Sequence, residues 1–175
     1  MKTIIINDHN IQDNEIDYSV TRVKGIVLNA ENNIIMEHNN NTFQLPGGHV
    51  EEEDLKDALK REILEECGIE HVEIYDPFLE IITYDKNYFG SNKKVINKIY
   101  YFTAYTEEEP DFNKTSYDLL ELESPFYLYY VNINNIKEFV EKETKRGNLN
   151  EGIARELLLA FDAYSFVYDN DEEII

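Results

Sequence analysis

Residues 47–70, GGHVEEEDLKDALKREILEECGIE, constrain the fold more than any other stretch of the chain. Leu55, Leu59, Ile63 and Cys67 recur at every fourth position. On a helix each is turned about 40° from the one before, so together they draw one slowly drifting apolar stripe. The spacing predicts a helix over 54–67, stopped by Gly68, a residue type favoured just past a helix end. The stripe is the buried face, and Cys67 on it reads as an inert core residue.

The acids of this segment are not spread opposite the stripe. Glu62, Glu65 and Glu66 stand at i, i+3 and i+4, so their side chains leave one edge of the helix together, within an arc of about 100°. Such crowding costs roughly 0.2–0.5 kcal/mol per like-charged pair. It also sits in the last turn, where the helix dipole disfavours negative charge. A helix built only for stability would carry lysine or arginine there. A local rule broken without visible gain points to a functional site. Carboxylates without histidine or cysteine suit Mg²⁺ or Mn²⁺ rather than zinc. Arg61, beside the cluster, reaches Asp57 or Glu65 at i±4, although the same spacing serves an ordinary surface ion pair equally well. Gly47 and Gly48 follow Pro46, and glycine there lets the backbone approach a ligand closely.

Composition narrows the partners. The formal charge of −20 argues against a nucleic-acid polymer or an anionic membrane, both of which demand a basic face. A phosphorylated small molecule stays open, because a divalent cation held by carboxylates reverses the local field. One cysteine in 175 residues rules out an internal disulfide and a cysteine-cage zinc site. The start, MKTIIINDHNIQDNEID, turns acidic too soon for a secretory signal, so a cytoplasmic protein is expected.

No repeat, proline-rich linker or domain boundary stands out. One domain over 1–168 is expected, followed by an acidic tail over 169–175. Strands are expected over 19–30, 34–38, 71–79, 81–88 and 95–105, and at 126–133, this last fully buried; 42–45 is a short extended piece and Asn39 to Asn41 a loop. Helices are expected over 135–145 and 150–164. The order points to an α/β (α+β) chain with a mixed sheet and helices packed on its faces. Arg22 and Lys24 alternate on the first long strand and so share a face, which meets either substrate phosphate or purine, or a cross-strand partner. Among the tyrosines, Tyr84, Tyr88, Tyr100, Tyr101, Tyr127, Tyr129 and Tyr130 include candidates for a base-stacking ring.

Residues 47–69 resemble the Nudix box: Gly, five residues, Glu, seven residues, Arg-Glu, an aliphatic residue, any residue, Glu-Glu, any residue, Gly and an aliphatic residue. Here Gly47, Glu53, Arg61, Glu62, Ile63, Glu65, Glu66, Gly68 and Ile69 occupy every fixed position. The lead-in TRVKGIVLNAENNIIMEHNNNTFQLPGG and the later KIYYFTAY and LLELESPFYLYYVNINNIKEF are also similar to the family pattern. The family often places Trp in that last segment; this chain has none, and Phe126 to Tyr130 take its place.

The resemblance implies a Nudix (MutT-like) fold, a mixed β-sheet sandwiched between α-helices with the box as a loop-helix-loop. It implies hydrolysis of the pyrophosphate linkage of a nucleoside diphosphate derivative, a small-molecule nucleotide-type substrate. Carried over residue by residue, Glu62, Glu65 and Glu66 ligate Mg²⁺ or Mn²⁺, and Arg61 orients Glu65 or Glu53. Glu53, Arg61, Glu65 and Glu66 form the catalytic set, and Gly47 and Gly48 shape the site, with Arg22 and Lys24 on the substrate side. Acids outside the box, Glu107 to Glu109, Glu121 and Glu123, are further candidates for a general base, although loop acids of this kind are commonly only solvated. Two other readings compete. One is a non-catalytic Nudix-like module that binds a nucleotide and regulates a partner; the other is an interaction protein with an acidic surface helix. The tyrosine-rich strands leave a homodimer open.

Overall fold

The computed structural model describes residues 1–39, 42–117 and 126–168. Seven strands and three α-helices lie among them. The strands are β1 (Lys2–Ile6), β2 (Tyr18–Leu28), β3 (Asn33–Asn39), β4 (Thr42–Gln44), β5 (Glu73–Asp85), β6 (Val95–Tyr105) and β7 (Tyr127–Asn132). The helices are α1 (Leu55–Cys67), α2 (Ile136–Arg146) and α3 (Glu151–Tyr168). One mixed sheet runs β1-β5-β6-β2-β3-β4, with β7 also on β3. The pairs β1/β5 and β2/β6 are parallel, and the other pairs are antiparallel.

The two central strands carry apolar side chains on both faces because both faces are covered. Val23 and Val27 of β2, with Phe102 and Ala104 of β6, pack on Ala58, Leu59, Ile63 and Cys67 of α1. Ile26, Ile99 and Tyr101 point the other way, onto Val140 of α2 and Leu157, Ala160 and Phe161 of α3. The sheet is therefore sandwiched between α1 and the α2–α3 pair. Gly25 lets α1 come close, since a Cβ there would lie 3.1 Å from Leu59 Cδ1.

The structure corrects four expectations. The two strands expected over 71–79 and 81–88 are one, β5, whose pairing with β6 slips on either side of Pro77, a residue with no N–H to give to the ladder. The strand near 126–133 is not buried: β7 lies on the outer part of the sheet, and Tyr127, Tyr129 and Tyr130 are exposed. Where no element was expected, the first residues form a strand, β1, laid parallel along β5. Its partner lies more than 70 residues away, so no local pattern announces it. Asn39, expected in a loop, instead closes β3 opposite Thr42; Asn40 and Asn41, and the acidic tail over 169–175, fall outside the described residues.

Candidate active site

The site is built where the loop after β4 meets α1. Residues 46–50 zip along β2: Gly25 N–H donates to Pro46 O at 2.9 Å, Val23 N–H to Gly48 O at 3.0 Å and Val50 N–H to Thr21 O at 3.0 Å. Gly47 has φ +135°, and a Cβ there would lie 2.2 Å from Val23 O, so only glycine fits. Asp54 then opens α1, its Oδ1 accepting the Lys56 and Asp57 N–H groups at 3.0 Å each. Gly68 closes the helix with φ +69°, its N–H on Leu64 O.

Arg61 organises the acids. Its Nη1 donates to Glu62 Oε1 at 2.8 Å and Glu65 Oε2 at 3.0 Å; its Nη2 donates to His49 O at 2.9 Å and Glu53 Oε1 at 3.0 Å. Of the three carboxylates offered by spacing and family pattern, the guanidinium reaches Glu65 and Glu53, and it takes Glu62 besides. Asp57 is not among its partners here. Burial opposes the Arg61 charge, but the Glu53 and Glu62 carboxylates outweigh it and raise its pKa. In return the hydrogen bond from Arg61 holds the Glu53 carboxyl below the usual range. Glu62 goes the other way: partial burial raises its pKa against the pull of Arg61. A Cβ on Gly48 would lie 2.4 Å from Glu62 Oε1, so this glycine makes the space that the carboxylate occupies.

Of these groups all but Glu53 line a cavity of about 350 Å³; Glu53 reaches it only through Arg61. Glu51, Arg61, Glu62, Glu65 and Glu66 line it together with Arg22, Gln44, Gly47, Gly48, His49 and Ser116. The three helix glutamates therefore share one cleft. Their ligand atoms do not close into a tight cage: among the described residues, the trio whose ligand atoms all fall within 4.8 Å of one another is Glu70, His71 and Glu108, just past α1. Glu66 is drawn inward. It is 4% exposed, accepts the Gly47 N–H at 2.8 Å on Oε2, and lies against the wholly buried Glu37 of β3. Burial and then the Glu37 charge raise its pKa well above the ordinary value. Glu37 is itself held by Gln44 Nε2 at 3.2 Å and by the Cys67 thiol at 3.9 Å.

The paired basic residues of β2 part company. Arg22 lines the cleft, with its Nε buried and without a hydrogen-bond partner. Lys24 is buried beneath the loop and gives its Nζ to Leu45 O at 2.7 Å and Gly47 O at 2.9 Å. It buttresses the glycine corner from behind. Of the acids beyond the box, Glu107, Glu108 and Glu109 stay away from the cleft. Glu108 ties down the Glu70–His71 backbone and Lys114, and Glu109 accepts from Tyr130. Glu121 and Glu123 lie outside the described residues. Gln44, Ser116 and Glu37 entered the site without a sequence signal, because each is brought there by strand pairing or by the segment after β6.

The NUDIX domain family model matches residues 19–133, about two thirds of the chain. The chain belongs to the Nudix family. Over 99 residues this Nudix chain is 34% identical to the RNA pyrophosphohydrolase of Sulfurovum sp. (strain NBC37-1), a match covering 51% of this chain and 60% of that protein. The chain thus spans less than two thirds of the length of this curated relative. Among solved structures, the MutT protein from Methanosarcina mazei Go1 superposes with a TM-score of 0.55 at 19% identity, over 86% of this chain and 97% of that one. The E. coli dihydroneopterin triphosphate pyrophosphohydrolase gives 0.55 at 13% identity, over 81% and 92%. Both share its fold. Nudix hydrolases generally use divalent metal ions. The carboxylates of Glu51, Glu62, Glu65 and Glu66 on the cleft are a donor set that fits such an ion.

Proposed function

We propose that this Nudix protein is a Mg²⁺- or Mn²⁺-dependent pyrophosphohydrolase that cleaves the phosphoanhydride of a small nucleoside diphosphate derivative. One observation carries the reading: a single guanidinium holds Glu53, Glu62 and Glu65 about a cleft whose glycine corner leaves room for the Glu62 carboxylate. A chain kept only for binding has no need to hold three like charges at that spacing, against their mutual repulsion.

In this reading Glu62, Glu65 and Glu66 hold the cation, which supplies positive charge against the substrate phosphates. Arg61 fixes the carboxylates of Glu53 and Glu65, so that they are in place before substrate arrives. Glu65 is the most solvent-accessible of the carboxylates on Arg61 and lines the cleft, a candidate to take a proton from the attacking water, with Glu53 held beside it on the same guanidinium. Gly47 and Gly48 let the backbone line the phosphate path, and Arg22, which lines the same cleft, brings positive charge to it. Lys24 keeps the loop in shape.

The name of the 34%-identical relative puts 5′-triphosphorylated RNA among the substrates to assay. The net charge of −20 favours a small nucleotide over an RNA body. The test is turnover by the purified protein with Mg²⁺ or Mn²⁺ of nucleoside triphosphates, nucleotide sugars, ADP-ribose, dinucleoside polyphosphates and a 5′-triphosphorylated RNA. Hydrolysis of a small nucleotide, abolished in the Glu65→Gln, Glu66→Gln double variant, is the expected result. Rates on every substrate no higher than those of the double variant overturn the enzyme reading. Hydrolysis of the RNA alone overturns the substrate class.

A further inference from the structure

The loop between β5 and β6 carries an aromatic group that the catalytic reading leaves unused. Phe89 is 80% exposed, the most exposed large hydrophobic residue described in the chain. Its backbone sits at φ 48°, ψ 36°, in the left-handed region that bulky residues avoid. The loop enforces that conformation on both sides. Gly90 N–H donates to Asn87 O at 3.0 Å, Ser91 N–H to Tyr88 O at 3.0 Å, and Asn92 N–H to Asn87 Oδ1 at 2.7 Å. The chain therefore holds a large apolar ring in water at a strained backbone position.

The position of the loop accounts for the strain. Tyr88, the neighbouring residue, meets His49 Nε2 with its hydroxyl at 3.2 Å, and His49 lines the carboxylate cleft beside Gly48. The Phe89 ring stands edge-on to the Tyr88 ring, with centroids 4.6 Å apart, and Tyr88 stands edge-on to Tyr18 at 6.5 Å. A short aromatic cluster thus begins at the cleft wall and ends in solvent, two contacts from the phosphate path. Every base has a π-face, and an exposed ring joined to the cleft wall through the Tyr88 and His49 contacts suits one.

We propose that Phe89, braced by Tyr88 through His49, is the platform on which the nucleobase of the substrate stacks. This inference rests on the nucleotide-hydrolase reading for its ligand, but its test does not require turnover. The probes are the α,β-methylene analogues of ADP and GDP, with methylenediphosphonate as the same phosphate mimic lacking a nucleoside, each titrated by calorimetry in Mg²⁺. The native protein is expected to bind the nucleoside analogues more tightly than methylenediphosphonate. Phe89→Ala is expected to weaken the nucleoside analogues about tenfold to a hundredfold and to leave methylenediphosphonate unchanged, whereas Phe89→Tyr retains the preference. Phe89→Gly separates a binding role from a structural one: it should lose the nucleoside preference while its Tm holds or rises, because glycine adopts this φ freely. Unchanged nucleoside affinity in Phe89→Ala overturns the proposal. So does a native protein with no preference for the nucleoside analogues, or a lowered Tm in Phe89→Gly with the preference intact. Absence of turnover with these binding results in place would count against the hydrolase reading alone.

Discussion

Two adjacent glycines provide a sharp test of how the cleft is built, because the same substitution should fail for different reasons at each. At Gly48 the backbone lies outside the left-handed region, so alanine meets no φ penalty. Its Cβ, however, would lie 2.4 Å from Glu62 Oε1 and 2.6 Å from Glu62 Cδ, where ordinary contact begins near 3.4 Å. The carboxylate must retreat by about 1 Å, and a displacement of that size in a catalytic constellation costs on the order of 100-fold in rate. The fold loses little, since the obstacle is the far end of a flexible side chain; an off-rotamer shift costs about 0.5–1.5 kcal/mol. At this chain length each kcal/mol moves Tm by roughly 2–4 °C, so Gly48→Ala should fall by no more than about 5 °C. At Gly47 the Cβ would lie 2.2 Å from a backbone oxygen of β2, and φ is +135°. There the strand or the loop must shift, and a strained residue alone costs roughly 1–3 kcal/mol. Gly47→Ala should lose stability first, with a Tm drop of about 5–10 °C. The assay pairs thermal unfolding of each variant with kcat/KM on whichever nucleotide is turned over, and with Mn²⁺ affinity by calorimetry. A Gly48→Ala enzyme with native activity, or a Gly47→Ala protein with native Tm, would refute this account of the corner.

Other predictions follow from single contacts. Arg61→Lys keeps the charge but loses the planar fork that serves four acceptors, so activity should drop at least tenfold with Tm little changed, and in Arg61→Gln the Glu53 carboxyl should titrate higher, towards 4.5, as followed by NMR. Lys24→Met strands the buried Leu45 and Gly47 carbonyls. The expected loss is roughly 2–4 kcal/mol, because removing a desolvated charge offsets part of the cost, and chemical denaturation reads it directly. Glu108 is depressed to about 2 from an ordinary 4.5 by the His71 N–H and Lys114, so its contribution is complete above pH 4.5 and disappears as the pH falls towards 2. In Glu108→Gln the dependence of stability on pH between those values should flatten, and an unchanged slope would show that the Glu70–His71 turn does not depend on that carboxylate.

Much of the site could be read from residue order because a helix is a local object. The four-residue recurrence from Leu55 to Cys67 set which face of α1 is buried, and the same 3.6-residue turn put Glu62, Glu65 and Glu66 on one edge. The glycines at 47, 48 and 68 marked where the backbone had to bend or yield space. What lay beyond the reach of order was every relation set by strand pairing. Nothing near Glu37 says that it will lie under Glu66. That follows from the pairing of β3 with β4, which sets Gln44 opposite Glu37.

The same divide explains where the sequence reading fell short. Strand alternation put Arg22 and Lys24 on one face, yet Arg22 lines the cleft while Lys24 ends in the carbonyls beneath the loop, because the path of residues 45–47 covers one and not the other. Alternation cannot tell how far a sheet extends, so β1 went unseen and β7 was expected in the interior. The amino-acid order alone determined the helix, its buried stripe, its acidic edge and the family. Tertiary structure decided which carboxylates Arg61 gathers, that Glu66 turns inward to Gly47, and that the Tyr88–Phe89 loop stands beside the cleft. The physical reason is range: helical periodicity acts within four residues, while the sheet brings together groups tens of residues apart, whose contact no nearby residue encodes.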